Sequence, residues 1–207
     1  MGTEPCKVEH FEISPRGAWL CKDAARYHFD EPLAKALVEL FKKEGAESIL
    51  DLGCGAGKYV DYLAKELEGE FTPYIVGIDG NPNTPTFSKL CFVGDLSKPV
   101  GVGRAGKPPA RFHWVMSLET GEHIPRKYEV QFLNNVTANA AHGIVLSWFP
   151  DKGHGVGHVN PRLNKWVKHQ MAKRGFQPVD DMAQKLRDVA EHWWFKKSLL
   201  VFKRRPK

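Results

Sequence analysis

The sequence lacks the features that mark membrane-spanning and secreted proteins. Its 207 residues contain no run of about 18 apolar residues, so we expect no membrane-crossing helix and no membrane partner. The first ten residues, MGTEPCKVEH, include no apolar segment that would direct secretion. The four cysteines form no Cys-x-x-Cys pair. We therefore expect neither a disulfide framework nor a structural zinc site, and we expect a reducing, cytoplasmic location.

The composition is that of one globular domain with a small basic surplus. Hydrophobic residues make up 42% and charged residues 26%, both near globular averages. The 30 Lys and Arg residues exceed the 24 Asp and Glu residues, for a net charge of +6. Much of this surplus lies in a Gly-, Pro- and Lys-rich segment at 97–111, interpreted as a surface loop, and in the tail 203–207. This distribution favours solubility over a nucleic-acid surface, and the oligomeric state stays open.

Hydrophobic periodicity predicts alternating helices and strands. Apolar residues recur at helical spacing over 27–43, 58–67, 128–141, 164–174 and 180–191. Short apolar runs bounded by turn residues predict strands over 48–52, 74–78, 91–93, 112–116, 143–147 and 198–203. Asn160 could begin a helix with Pro161 at its first position. The alternation predicts an α/β protein with a mostly parallel sheet.

A glycine-rich turn, Gly53-Cys54-Gly55-Ala56-Gly57, connects a predicted strand to a helix. Glycines let the backbone approach a ligand, and the helix start supplies free N–H groups. The pattern is not a phosphate-binding P-loop, and Lys58 replaces the third glycine of a dinucleotide fingerprint. Asp79 ends the next strand, 79 − 57 = 22 residues after the last glycine. A carboxylate at this place commonly binds ribose hydroxyls; the alternative is an ordinary strand–turn–helix cap.

Four segments resemble the motifs of class I S-adenosylmethionine-dependent methyltransferases over roughly residues 25–205. They are ILDLGCGAG (49–57), IVGIDGNP (75–82), VGDLSKP (93–99) and HWVMSLETGEHIP (113–125). The SLE-x-x-EHIP pattern and the loop GHGVGHVN (153–160) are similar to a subgroup of small methyltransferases. The resemblance implies a Rossmann-like seven-stranded, mostly parallel sheet with an antiparallel last strand and helices on both faces. It divides the chain into a lead-in or lid at 1–24 and a methyltransferase domain at 25–207.

The resemblance implies S-adenosyl-L-methionine as the cofactor, bound without a metal. In this interpretation Asp79 binds the ribose, Asp95 reaches the adenine amino group, and Leu96 offers its backbone amide. The full set of expected cofactor contacts is Asp51, Gly53, Gly55, Gly57, Tyr59, Asp79, Gly80, Asn81, Asp95, Leu96, Leu118 and Glu119.

Methyl transfer needs alignment above all, and a base only if the acceptor arrives protonated. Glu119 and His123 follow the fourth predicted strand. Glu119 suits a cofactor contact or the pocket floor, and His123 suits a base or a helix cap. His154 and His158 follow the fifth strand and suit a base or a substrate contact. Their i, i+4 spacing would suit a metal on a helix, but the intervening glycines argue against a helix there.

Aromatic and histidine side chains near the predicted pocket suggest its acceptor. Expected substrate contacts are Trp19, Tyr27, His28, Trp148, His154 and His158, whereas Trp193 and Trp194 are expected to serve in packing. The favoured function is methyl transfer to nitrogen or oxygen of a small molecule that carries an aromatic ring or an amine.

Two other functions remain open. The basic segment 98–111 and the net charge support a methyltransferase acting on RNA or protein, although Ser117-Leu118-Glu119-Thr120 stands where amino-directed nucleic-acid enzymes carry an NPPY-like tetrapeptide. The third possibility is a cofactor-binding scaffold without activity.

Overall fold

The computed structural model describes residues 6–8, 11–69, 72–101, 111–150 and 155–206. A short hairpin opens the described chain, with β1 at Cys6–Val8 and β2 at Phe11–Ile13. Seven further strands form one sheet: β3 (Ser48–Leu52), β4 (Tyr74–Asp79), β5 (Cys91–Val93), β6 (Phe112–Ser117), β7 (Ala140–Leu146), β8 (Phe176–Pro178) and β9 (Leu200–Arg204). Their order is β5-β4-β3-β6-β7-β9-β8. Strand β9 runs opposite to the other six strands of this sheet. The predicted Rossmann-like sheet with an antiparallel last strand is confirmed.

Helices cover both faces of this sheet, as predicted. They are α1 (Glu31–Lys43), α2 (Lys58–Glu66), α3 (Thr84–Phe87), α4 (Glu129–Asn139), α5 (Asn164–Lys173), α6 (Asp180–Val189) and α7 (Trp193–Ser198). Because side chains alternate along a strand, Ile49 enters the core beneath α1, α2 and α6, and Leu50 enters the core beneath α4 and α5. Within the described residues, no helix is both long and apolar enough to cross a bilayer.

The first helix begins four residues later than its apolar periodicity predicts. Asp30 caps it, because its Oδ1 accepts a hydrogen bond from the Leu33 backbone N–H at 3.0 Å. The other carboxylate oxygen accepts from the backbone N–H groups of Glu191 at 2.9 Å and His192 at 2.8 Å. Residues 27–30 therefore belong to the irregular lead-in.

Other sequence-based predictions of the elements also differ from the structure. Asn160 does not begin a helix, because it is a buried loop residue whose side-chain amide donates to Glu129 Oε2 at 2.9 Å, and α5 begins at Asn164, as the periodicity over 164–174 predicts. The strand expected from Gly143 begins at Ala140. The short elements β1, β2, α3, α7 and β8 had no predicted counterpart. Most of the predicted surface loop, residues 102–110, lies outside the described residues.

The strand order places a topological switch at the centre of the sheet. The chain leaves β3 towards β4 on one side and later returns to β6 on the other. In open α/β sheets, ligands bind at the carboxyl ends of the strands beside such a switch. The turn after β3, the end of β4 and the segment after β6 all meet at this edge.

Candidate active site

A cavity of about 630 Å³ lies at the carboxyl ends of β3, β4 and β6. Its walls come from the glycine turn, the segments after β4, β5 and β6, the lead-in and α7. The size and position are those of a binding site for a ligand of several hundred daltons. It is therefore the candidate active site.

The glycine turn is held open by Asp79. The backbone N–H of Gly55 donates to Asp79 Oδ2 at 2.9 Å, and that of Asn81 donates to Oδ1 at 2.8 Å. Burial raises the pKa of Asp79, and these backbone hydrogen bonds offset part of the rise. Gly55 has a φ of 57°, and a Cβ there would overlap the ring of Tyr27. Glycine is required here by both its backbone conformation and its surroundings.

Asp51 is a buried carboxyl group with one unsatisfied oxygen. Its Oδ1 has no hydrogen-bond partner among the described residues, and the residue lines the cavity. Burial raises the pKa of Asp51 well above its ordinary value, and Cys91 and Asp79 add to the rise. A donor or cation bound in the cavity would satisfy this group, since buried polar atoms are costly without partners.

The lead-in covers the outer side of the cavity. Arg16 forms an ion pair with Asp95, and Gly17 packs so closely on the carbonyl of His123 that a Cβ would overlap it. Burial raises the pKa of Asp95, but hydrogen bonds from Ser97 and Arg16 outweigh it, and the pKa falls below the ordinary value.

Tyr27 carries the lead-in onto the glycine turn. Its hydroxyl accepts a hydrogen bond from Asn81 Nδ2 at 2.8 Å. Its backbone carbonyl accepts from Lys58 Nζ at 2.6 Å. Burial and the charge of Asp79 raise the pKa of the phenol, so it stays protonated. Tyr27, expected as a substrate contact, thus lies beside the expected cofactor residues Gly55 and Asn81.

Two acidic residues follow β6. Glu119 has an unusual φ of 47°, and its Oε1 accepts from Ser198 Oγ at 2.7 Å. Its backbone N–H donates to Ser147 Oγ at 2.7 Å. Burial raises the pKa of Glu119, although hydrogen bonds partly offset this. Glu122 is fully buried, and burial together with the charge of Glu119 raises its pKa well above the usual range.

His123 and His158 meet edge to face on the inner side of the lead-in. Their ring centroids are 4.9 Å apart at an interplanar angle of 77°. His123 Nδ1 lies 3.3 Å from Trp19 Nε1 and 3.2 Å from the carbonyl oxygen of Gly157. Burial and then His158 lower the pKa of His123 to about 3. A neutral imidazole with so low a pKa is a weak base, which counts against His123 for proton acceptance.

Most of the expected site residues line this cavity. They are Asp51, Gly53, Gly55, Tyr59, Asp79, Gly80, Asp95, Leu96, Leu118 and Glu119 from the cofactor set, and Trp19, Tyr27, His28, His123 and His158 from the others. His154 lies outside the described residues.

Gly57 and Asn81 do not line the cavity. Gly57 is the N-cap of α2, with a φ of 77°, and packs on Ser88 and Cys91. Asn81 is buried, and its side-chain amide donates to the backbone carbonyl of Cys21 at 2.7 Å as well as to Tyr27. Both residues support the site from behind.

The aromatic lining differs from the one expected. Trp148 is wrong as a substrate contact, because its indole is 0% exposed and donates to the carbonyl of Asn160 at 2.7 Å. Trp193 and Trp194, expected to serve in packing, line the cavity together with Phe149. The antiparallel direction of β9 could have indicated this, because residues before an antiparallel strand arrive at the carboxyl edge of its parallel neighbours.

Comparisons with known proteins agree with this architecture. The structure aligns with the S-adenosylmethionine-bound amino pentose methyltransferase CalS10 of Micromonospora echinaspora at a TM-score of 0.62, with 15% identity, over 87% of this chain and 93% of that one. It aligns with the magnesium protoporphyrin IX methyltransferase of Synechocystis PCC 6803, with bound S-adenosylhomocysteine, at a TM-score of 0.60 and 14% identity, over 83% and 81% of the two chains. The fold is therefore that of the class I methyltransferases.

The sequence comparisons reach less far. The chain is 32% identical over 126 residues to a probable tocopherol O-methyltransferase, chloroplastic, of Oryza sativa subsp. japonica, covering 58% of this chain and 34% of that protein. The chain thus spans about a third of the length of this curated relative. No protein-family model matches it.

Proposed function

We propose that the protein is an S-adenosylmethionine-dependent methyltransferase that methylates nitrogen or oxygen of a small molecule. The observation that carries the proposal is the arrangement of Gly55 and Asp79 at the open end of β3 and β4, inside the cavity. Three features together fit a nucleoside that carries a cationic amino acid. They are the side-chain-free backbone at Gly55, the carboxylate of Asp79 and the unsatisfied oxygen of Asp51.

The chain's own residues would divide the cofactor between them. Asp79 would accept hydrogen bonds from the ribose hydroxyls, and Asp95 with Leu96 would face the adenine. The carboxylate of Asp51 would meet the ammonium group. Leu118 and Glu119 would bound the far end, where the acceptor enters.

The bound cofactor supplies a methyl group on a sulfonium, whose C–S bond breaks with its electron pair passing to sulfur as the acceptor's lone pair forms the new bond. The protein's part is alignment and removal of the acceptor's proton. Glu119 lines the cavity and is the proposed base. The lead-in would exclude water by closing over His123, which is the role proposed for segment 1–24 as a lid on the domain 25–207.

An aromatic or amine-bearing acceptor suits the outer wall. Phe149 and Trp193 meet edge to face, with centroids 5.7 Å apart, and Trp193 is 50% exposed. Such rings bind flat apolar groups or cations. The partial relative named as a tocopherol O-methyltransferase supports an aromatic acceptor. A cytoplasmic setting belongs to the proposal, since Cys21, Cys54 and Cys91 are free thiols.

Calorimetric titration with S-adenosylmethionine tests the proposal. We expect the full chain to bind the cofactor and Asp79→Ala to weaken binding at least tenfold, about 1.4 kcal/mol. Asp188→Ala, which removes an exposed carboxylate on α6, is the matched control and should bind as the wild type does. A wild-type chain that does not bind S-adenosylmethionine would refute the proposal.

The alternative is an RNA acceptor, which the same calorimetric titration tests when tRNA is added. We expect tRNA to leave cofactor binding unchanged and to show no binding of its own at physiological salt. Salt-resistant tRNA binding would replace the small-molecule proposal with the nucleic-acid one.

A further inference from the structure

Three side chains that can ligate a metal ion meet beside the cavity. They are Glu122, His123 and His158, and one ligand atom from each lies within 4.8 Å of the other two. Ligands about 2.1 Å from one octahedral ion lie roughly 3.0 to 4.2 Å from one another. Small side-chain rotations would therefore bring the three atoms onto one ion.

Glu122 is a buried carboxyl group that a bound cation could neutralise. The residue is 0% exposed, and the side chain that bonds to it in the described part of the chain is that of another acid, Glu119, so the two carboxyl groups would have to share a proton when no cation is bound. The ion pairs found among the described residues do not include it. Buried carboxylates in proteins are paired, protonated or bound to metal, because desolvation of an isolated charge is too costly.

The backbone brings the two histidine-bearing segments together in a fixed way. The carbonyl oxygen of Glu122 accepts hydrogen bonds from the backbone N–H groups of Val159 at 2.9 Å and Asn160 at 2.8 Å. These bonds hold the loop that carries His158 against the turn that carries Glu122 and His123. Main-chain hydrogen bonds therefore hold the two segments that carry the three side chains next to each other.

His123 also has the second contact that a ligating histidine usually makes. Its Nδ1 lies 3.2 Å from the carbonyl oxygen of Gly157. A metal-bound imidazole commonly donates its other N–H to a backbone carbonyl, which fixes both its tautomer and its orientation. With an ion on Nε2, Nδ1 of His123 would carry the proton and donate to Gly157, and it would no longer accept from the indole of Trp19.

We propose that Glu122, His123 and His158 form a binding site for one divalent transition-metal ion, of the Mn²⁺ to Zn²⁺ range. Two imidazole nitrogens and one carboxylate suit these ions better than Mg²⁺ or Ca²⁺, which prefer oxygen ligands throughout. This inference departs from the expectation of a site without metal. It stands on the trio alone and does not require methyl transfer.

The site would be open towards the acceptor. His123 and His158 both line the cavity, and three protein ligands leave coordination positions for an exogenous ligand. If the protein is the proposed methyltransferase, the ion would hold an oxygen of the acceptor next to the methyl donor, and the acceptor would be an oxygen-bearing molecule.

Metal titration of the chelator-treated full chain tests the site directly. We expect calorimetry with MnCl₂ or ZnCl₂ to give one ion per chain, and Glu122→Gln and His158→Gln each to weaken binding at least tenfold. His142→Gln is the matched control, because His142 Nε2 also lies 3.2 Å from a glutamate, Glu44, but outside the cavity. This control should bind the ion as the wild type does.

A second measurement asks whether the site is open. Water-proton relaxation should be enhanced in the Mn²⁺ complex, because an open coordination position holds exchanging water. An unenhanced rate would overturn the open site. Absence of binding at about 1 mM of either ion, or wild-type affinity in both variants, would overturn the site itself.

Controls separate these outcomes from other failures. Gln closely matches a protonated Glu in shape, so Glu122→Gln should fold; His158→Gln, on a partly exposed loop, carries the test if it does not. Titrating the same samples with S-adenosylmethionine distinguishes the two proposals. Cofactor binding without metal binding would refute only the metal site, and metal binding without cofactor binding would refute only the methyltransferase.

Discussion

The indole Nε1 of Trp19 lies 3.3 Å from Nδ1 of His123, across 104 residues of sequence. The same Nδ1 lies 3.2 Å from the carbonyl oxygen of Gly157. One nitrogen cannot accept a hydrogen bond from the indole N–H and donate one to the carbonyl at the same time. The lead-in therefore competes with the loop after β7 for the tautomer of a cavity histidine.

Replacing Trp19 by Phe should shift this tautomer. The variant keeps a ring against His123 but removes the N–H, so Nδ1 should become the protonated nitrogen and donate to Gly157. Nitrogen-15 chemical shifts of the His123 imidazole, measured by NMR in chelator-treated protein, report the change of tautomer. We also expect a loss of about 1 kcal/mol in the free energy of unfolding. The resonances of His142, beside Glu44, serve as the control. An unaltered His123 spectrum would mean that the indole does not select the tautomer.

Gly17→Ala should weaken cofactor binding by about tenfold, close to 1.4 kcal/mol. Gly17 has a φ of 92°, and a Cβ there would overlap the carbonyl oxygen of His123, so the lead-in could not pack over the cavity. Gly45→Ala is the matched control. Gly45 also has a positive φ, 58°, but a Cβ added there would have no atom of another residue within 4 Å. It should cost about 1–2 kcal/mol of stability and leave affinity unchanged. Equal affinities for both variants in a cofactor titration would contradict this account.

Asp51→Asn should stabilise the cofactor-free protein at neutral pH while weakening cofactor binding. Burial raises the pKa of Asp51 in the folded state. Its contribution to stability is therefore complete below the unfolded pKa, about 3.8, and is lost as pH rises through the folded value. Asn does not titrate, so its advantage over the wild type should grow from pH 4.5 to pH 8.

Urea unfolding at the two pH values measures this difference. Asp188→Asn, a change at an exposed carboxylate, should show no pH-dependent gain. The same gap between Asp51→Asn and the wild type at both pH values would rule out a raised pKa as its source.

The glycine turn and Asp79 could be predicted because the information is local. An apolar run, a glycine pattern and a second apolar run define β3 and β4, whose parallel register pairs Leu52 with Ile78. That pairing alone brings Asp79 beside the turn. The class of fold followed from the same repeated units.

The acceptor side could not be predicted in the same way, because it depends on contacts between distant segments. The burial of Trp148 depends on packing against Phe132 and Trp166 from two helices. Trp193 and Trp194 reach the cavity only because β9 reverses direction. Nothing near Glu122 in the sequence indicates that its carboxyl group is fully buried beside that of Glu119, so its importance emerged only from the structure.

The carboxylate of Asp30 has a consequence for the dynamics of the molecule. The carboxylate joins the start of α1 to the backbone N–H groups of Glu191 and His192. The backbone N–H of Asp30 donates to the hydroxyl of Tyr59 at 3.0 Å. The start of α1 and the segment before α7 are thereby fastened together at one buried point. Opening the lead-in beyond this point requires α7 to loosen as well, so amide hydrogens on both segments should exchange as one cooperative unit.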